Sequence, residues 1–247
     1  MGSPAPLLVP LAPGITAAFT TRAGGISDAP YATLNLAAHV GDDDAAVAAN
    51  RKAAAAALGV DADRMTWCEQ VHGDTVATVT TDDIGATLPA ADGLVTGERR
   101  TPLAVLAADC VPVLLADPRQ GIVAAVHAGR RGLVSGIVEV AVGTMLDLGA
   151  AREAIVGAVG PAIGPCCYEV GDDVAAEVTE ALPVTRATTR QGATGLDLPA
   201  GVRHVLAREG VHAVTAVGGC TAHQPGLFFS HRRDGTTGRH AGIVWRS

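Results

Sequence analysis

The sequence predicts an α+β layered fold, and three observations point to it. The 247 residues are 48% hydrophobic, enough for a substantial core. Most apolar runs are short and punctuated by proline or glycine, as strands are, while a few segments have helical length and composition. The two kinds do not alternate as a strict β-α-β repeat, so separate sheets with helices packed on them fit better than one parallel sheet. Without an internal repeat, a long low-complexity linker or a sharp break in composition, residues 1–247 read as a single domain.

AAFTTRAGG reads as a strand running into a glycine turn, followed by a polar loop through Pro30, Tyr31, Asn35 and His39. Asp42, Asp43 and Asp44 then precede AAVAANRKAAAAALGV, where acidic residues at the start, an alanine-rich body and Gly59 at the end specify a capped helix. MTWCEQVHG and TVATVT read as strands. PLAVLAADC, PVLLAD and GIVAAVHAG form a further apolar set, separated by Pro102, Pro112 and the turn Pro118-Arg119-Gln120-Gly121. AAVHAGRRG reads as strand, tight turn and helix start, leading into one helix over GLVSGIVEVAVGTMLDLGA; backbone N–H groups at such a start can bind an anion. The remainder supplies a strand at AIVGAVGPAIG, a helix after Asp172, another from Leu198 to Glu209, a strand at AVTAVGG and a closing strand at HAGIVW.

Composition narrows the function classes. A net charge of -7 argues against nonspecific nucleic-acid binding, which needs a basic face. At 3% aromatic residues, base-stacking platforms are scarce. Lys52 is the single lysine among 18 basic residues, so arginine carries nearly all positive charge. Five cysteines without dense spacing fit a reducing cytoplasm better than a disulfide scaffold. The N-terminal MGSPAPLLVPLAPG has no charged leader region, and charges interrupt every long apolar stretch, so neither a signal peptide nor a membrane span is expected. Nothing in the sequence calls for an obligate protein partner. Small-molecule chemistry is the expectation.

His72 in QVHG, Cys110 in AADCVPV and His127 in AAVHAGRRG each end an apolar run at glycine or polar residues, where strand ends can converge. Two imidazoles and a thiolate suit zinc, and three protein ligands leave a fourth position for water or substrate. The same atoms also describe an attacking Cys110 thiolate activated by either histidine. Copper is a third reading, although a blue-copper centre usually adds an axial methionine, and neither Met65 nor Met145 lies in a ligand-like motif. Asp109 adjoins Cys110 as an acid–base or supporting group, but strand alternation would aim it the other way. Arg22, Asn35, His39 and Arg131 fall at turns and are candidates to bind a sugar or phosphate. Asp92 in ADGLVT reads as a turn residue, Cys166-Cys167 as a packed turn, and Arg232, Arg233 and Arg239 as either a solvated turn or an anion-facing lid.

TTRAGGISDAPYATLNLAAHVGDD, EQVHG, ADGLVT, ADCVPVLLADP, VAAVHAGRRG, GPAIGPCCYEVG and FFSHRRDGTTGR, in that order, resemble the laccase-domain family, also called multicopper polyphenol oxidases. Its members are described as purine nucleoside phosphorylases with adenosine deaminase activity, and some as peptidoglycan-editing factors. The resemblance runs from about Thr20 to Trp245. It implies a cytoplasmic single-domain enzyme, β-sheets flanked by helices in an αββα-type sandwich, and a zinc bound by His72, Cys110 and His127. It also implies phosphorolysis of adenosine, inosine, guanosine or methylthioadenosine to a base and ribose 1-phosphate, with hydrolytic deamination of adenosine beside it. Alternatives within the resemblance are a hydrolase that edits a cell-wall precursor and a copper-dependent polyphenol oxidase. On this reading Arg22 and Arg131 hold phosphate, and Asn35 and His39 hold ribose or base. The chain departs from the family pattern in two places: Arg130 stands where HAGWRG has tryptophan, and His231 where tyrosine is usual.

Overall fold

Hairpin formation starts the chain. In the computed structural model, which describes residues 5–247, β1 (Leu7–Ala12) turns at Gly14 (φ 75°) into antiparallel β2 (Ile15–Phe19). The proline-broken sequence does not predict the first strand, and the first four residues of the stretch read as lacking a signal peptide lie outside the described residues. The carboxylate of Asp43 accepts the backbone N–H groups of Ala45 and Ala46 and so caps α1 (Asp44–Leu58), which Gly59 ends at φ 70°. Short β3 (Trp67–Cys68), β4 (Val76–Thr78) and β5 (Thr87–Leu88) precede β6 (Gly93–Thr96). The long buried strands β7 (Leu103–Ala107), β8 (Val111–Asp117) and β9 (Ile122–Ala128) follow. Then come α2 (Arg130–Ser135), α3 (Ile137–Asp147), β10 (Val156–Val159), α4 (Asp172–Ala181), β11 (Arg186–Thr188), β12 (Thr194–Leu196) and α5 (Leu198–Arg208). β13 (Ala213–Ala216), α6 (His231–Asp234) and β14 (His240–Arg246) complete the order.

Two sheets carry the fold. One runs β1-β2-β14-β7 and is antiparallel throughout; the other runs β13-β10-β8-β9-β6-β4, antiparallel in its middle and parallel at both edges. The period-2 alternation of strand side chains assigns each face its neighbour. On β8, Leu114 and Ala116 pack toward the four-stranded sheet with Phe19, Leu103 and Val244, whereas Val113 and Leu115 pack under α3 and α5 with Val138, Val142, Met145 and Val202. The outer face of the four-stranded sheet, Ala104, Leu106, Ile243 and Trp245, covers Ala54 and Ala55 of α1. The layers are therefore helix, sheet, sheet, helix: an α+β sandwich in which β7, β8 and β9 are fully buried.

Three expected elements differ. MTWCEQVHG is a strand only at Trp67–Cys68, because side chains replace the ladder beyond it: the Gln70 amide accepts from Leu106 N (2.7 Å) and donates to Leu106 O (2.8 Å). The helix expected over GLVSGIVEVAVGTMLDLGA divides at Gly136, which adopts φ 95° and caps α2 with its N–H on the carbonyls of Gly132 and Leu133. The FFSHRRDG turn contains a helical turn capped by Ser230, whose hydroxyl accepts from Arg233 N. No helix among the described residues is long and apolar enough to cross a membrane.

Candidate metal centre and active-site cavity

Antiparallel pairing of β8 with β9 sets Val111 opposite Ala128 and Pro112 opposite His127, so Cys110 and His127 emerge at the same end of the sheet. His72 comes from the loop between β3 and β4, in the left-handed conformation (φ 61°). The ligand atoms of His72, Cys110 and His127 all lie within 4.8 Å of one another, and the two imidazole rings meet edge to face with centroids 4.8 Å apart. Gly129 makes this convergence possible: a Cβ there would lie 3.0 Å from His72 Cδ2 and 3.2 Å from Cys110 Sγ.

Asp92 holds the set in place. One carboxylate oxygen is 2.8 Å from His127 Nδ1, and the carboxylate also accepts the backbone N–H groups of Val71, His72 and Gly73 at 3.1, 2.9 and 2.8 Å. With Nδ1 bound to Asp92, His127 turns Nε2 toward the other donors, the orientation that carboxylates give metal-binding histidines. Asp92 does lie in a bend, as read from the sequence, but its hold on His127 was not foreseen. It precedes β6, whose pairing brings Gly93 opposite Val126, and so reaches a histidine 35 residues away.

Burial works to raise the Cys110 pKa, but the imidazoles of His127 and His72 overcome it and bring it down to about 6. Burial likewise opposes protonation of His127, yet the Cys110 thiolate and Asp92 push it up to about 9. The pocket thus favours a thiolate near neutral pH, the state needed for a metal ligand or a nucleophile. Both chemistries remain compatible with the electrostatics. The convergence of three soft and borderline donors on one point fits zinc.

This set lies in a cavity of about 430 Å³ whose wall includes Arg130, Arg131, Arg232 and Arg239. Four arginines thus gather at one cavity of a protein of net charge -7, Arg130 pairing with Glu177 at 3.6 Å and Arg131, Arg232 and Arg239 each donating to backbone carbonyls. Of the residues expected from sequence, His72, Cys110, His127, Asp109, His39 and Arg131 all line the cavity. Asp109 does so because its backbone is left-handed (φ 99°), which breaks strand alternation and turns it to the same side as Cys110. Its carboxylate accepts from Thr221 Oγ1 and from Arg232 N, each at 2.6 Å. Burial and the neighbouring Arg239 and Arg51 lower the pKa of His39, so it is a neutral hydrogen-bonding group at pH 7.

Arg22 and Asn35 are placed elsewhere. Arg22 spends its guanidinium on the carbonyls of Ala32 (3.0 and 2.9 Å) and Pro225 (2.9 Å) and lies over the Phe229 ring. Asn35 is fully buried; it bonds Ala37 and Asp42 and accepts the N–H of Arg239, so it touches the cavity only through that backbone. Residues that sequence reasoning did not select for substrate are Gln70, Arg130, Tyr168, His231, Arg232 and Arg239. The basic cluster after β13 was the available signal, and two of its arginines, Arg232 and Arg239, line the cavity. Arg233 instead pairs with Asp234 at 2.6 Å and caps carbonyls of Thr221 and Phe228.

Residues 16–247 match the sequence model of a family described as multi-copper polyphenol oxidoreductase laccase. A Streptomyces coelicolor protein named purine nucleoside phosphorylase is 51% identical over 92% of this chain and 93% of its own length. A Geobacillus stearothermophilus protein, purine nucleoside phosphorylase YlmD, is 40% identical over 94% of this chain and 90% of its own. The crystal structure of YlmD from that organism superposes with a TM-score of 0.90 at 39% identity, over 96% of this chain and 94% of that one. A Bacillus licheniformis hypothetical protein, YfiH, superposes with a TM-score of 0.89 at 34% identity, over 97% of this chain and 99% of that one.

Proposed function

The chain belongs to the multi-copper polyphenol oxidoreductase laccase family, and from that premise we propose that it is a zinc-dependent purine nucleoside phosphorylase that also deaminates adenosine. The observation that carries this reading is the His72–Cys110–His127 set placed inside a cavity walled by four arginines. Its relatives named purine nucleoside phosphorylase support the substrate pair, a nucleoside and phosphate.

His72, Cys110 and His127 would hold the zinc, which when bound supplies Lewis-acid chemistry. Arg130, Arg131, Arg232 and Arg239 bind the phosphate dianion and orient an oxygen toward the anomeric carbon. Phosphorolysis forms the C–O bond of ribose 1-phosphate and breaks the glycosidic C–N bond, and the proton carried by phosphate ends on the departing purine. Asp109, whose carboxylate accepts from Thr221 and from the Arg232 backbone, would relay that proton. His39 and Gln70 offer neutral hydrogen bonds for ribose or base.

Deamination of adenosine exchanges the exocyclic amine for water and releases ammonia, and it uses the same cavity. Neither Met65 nor Met145, the methionines among the described residues, reaches the site; each is buried in a hydrophobic cluster, which weighs against a blue-copper centre. The test is liquid chromatography of adenosine or inosine incubated with phosphate and metal-analysed protein. Adenine, hypoxanthine and ribose 1-phosphate are the expected products, lost in Cys110→Ser. Zinc-loaded protein that releases serine from a muramyl peptide, or oxidises phenols, while leaving nucleosides intact would overturn the proposal.

A further inference from the structure

Outside the arginine-walled cavity, a second group of soft ligands gathers where the turn 164–168 meets the turn 220–223. The ligand atoms of Cys166, Cys167 and His223 lie within 4.8 Å of one another. Cys166 Sγ and Cys167 Sγ are 3.5 Å apart. In a tetrahedral zinc site with Zn–S bonds of about 2.3 Å, two sulfurs stand about 3.8 Å apart, so the pair already spans close to one edge of that polyhedron. Cys220 is the nearest further donor. Its sulfur accepts the N–H of Gly164 at 3.2 Å, and a Cβ on Gly164 would come within 3.2 Å of Cys220 Cβ and 3.5 Å of Cys166 Sγ. Glycine at 164 therefore lets the two turns close around the sulfurs.

The surroundings differ from those of Cys110. Burial, with the neighbouring sulfurs second, pushes the Cys167 thiol up to about 12, and no imidazolium offsets it. His223 is exposed, and its Nε2 lies 2.8 Å from Arg190 Nη1. That contact is the one a cation on Nε2 would replace, leaving the guanidinium beside the thiolates as a counter-charge.

We infer that Cys166, Cys167 and His223, with Cys220 beside them, form a second site for a thiophilic divalent cation of the zinc class. A thiolate-rich set is the composition of a structural rather than a catalytic site. Its consequence is mechanical. The first turn leads directly into Tyr168, which lines the cavity, and the second carries Thr221, whose hydroxyl donates to Asp109. An ion at the junction ties both to one point.

Co(II) is the probe, because its thiolate charge-transfer absorption scales with the number of bound sulfurs. Full-length protein stripped by a chelator is titrated with Co(II), with circular dichroism as the check on folding. Wild type is expected to bind two equivalents. The double variant Cys110→Ser/His127→Ala keeps one equivalent and the stronger thiolate band; Cys166→Ser/Cys167→Ser loses that band and keeps one equivalent. His223→Ala, an exposed change, weakens the second equivalent at least tenfold. A single wild-type equivalent that vanishes in Cys110→Ser/His127→Ala overturns the inference. So does two-equivalent binding that neither Cys166→Ser/Cys167→Ser nor His223→Ala alters.

Discussion

Asp92 shows how much one carboxylate can organise. It orients His127 and, by accepting three consecutive N–H groups, pins the loop that delivers His72. Asp92→Asn removes the charge and offers donors where only acceptors fit, so zinc affinity is expected to fall about 10- to 100-fold; competition with a chelating dye measures this, and unchanged affinity would contradict the role. His240 makes a separate prediction. Its ring is fully buried, with both nitrogens lacking a hydrogen-bond partner among the described residues, and burial lowers its pKa to about 4. The folded state thus binds fewer protons than the unfolded state between pH 6.5 and 4, so stability is present above that window and lost as pH falls through it. Roughly 2 kcal/mol should disappear between pH 7.5 and 5 by urea unfolding, and His240→Gln should flatten that slope. At this scale the convergence of His72, Cys110 and His127 was legible, because a histidine or cysteine that ends an apolar run sits where strand ends meet and brings a donor atom with it. Arg22 and Asn35 misled as cavity residues for a physical reason: their partners are backbone carbonyls and amides far along the chain, and sequence does not display those.

The divided helix after β9 separates two kinds of glycine. Gly136 sits at φ 95°, so Gly136→Ala forces an L side chain into left-handed backbone and should cost about 1–2 kcal/mol. Gly143 lies inside α3 with nothing within 4 Å of an added Cβ. Gly143→Ala should stabilise by roughly 0.5–1 kcal/mol. Chemical denaturation of the two variants checks both signs at once, and equal effects would refute the assignment. The sequence pattern marked this segment as helical but not its break, since both glycines look alike in a string. Strands β7, β8 and β9 were legible as continuous apolar runs because both of their faces are buried. The stretch after Cys68 was not, because its ladder is replaced by side-chain bonds from Gln70 and Asp92.

For the whole molecule, the layered α+β class could be read from the sequence, whereas the pairing of β14 between β2 and β7 could not, since register across more than 200 residues leaves no local mark. The charge distribution is a second global feature: an acidic protein that turns four arginines into one cavity. Such a field draws anions by long-range attraction, so the KM for phosphate should rise several-fold between about 50 and 500 mM salt while kcat changes little. Steady-state kinetics across that range decide it; a salt-independent KM would mean the arginines do not face the anion. The placement of β14 also has a bearing on biosynthesis. A ribosome that has yet to make residue 240 holds a nascent chain in which β2 and β7 each lack their shared neighbour, leaving two open, apolar sheet margins. The four-stranded sheet can therefore close only after β14 is made, well after both β2 and β7, so its assembly waits on elongation.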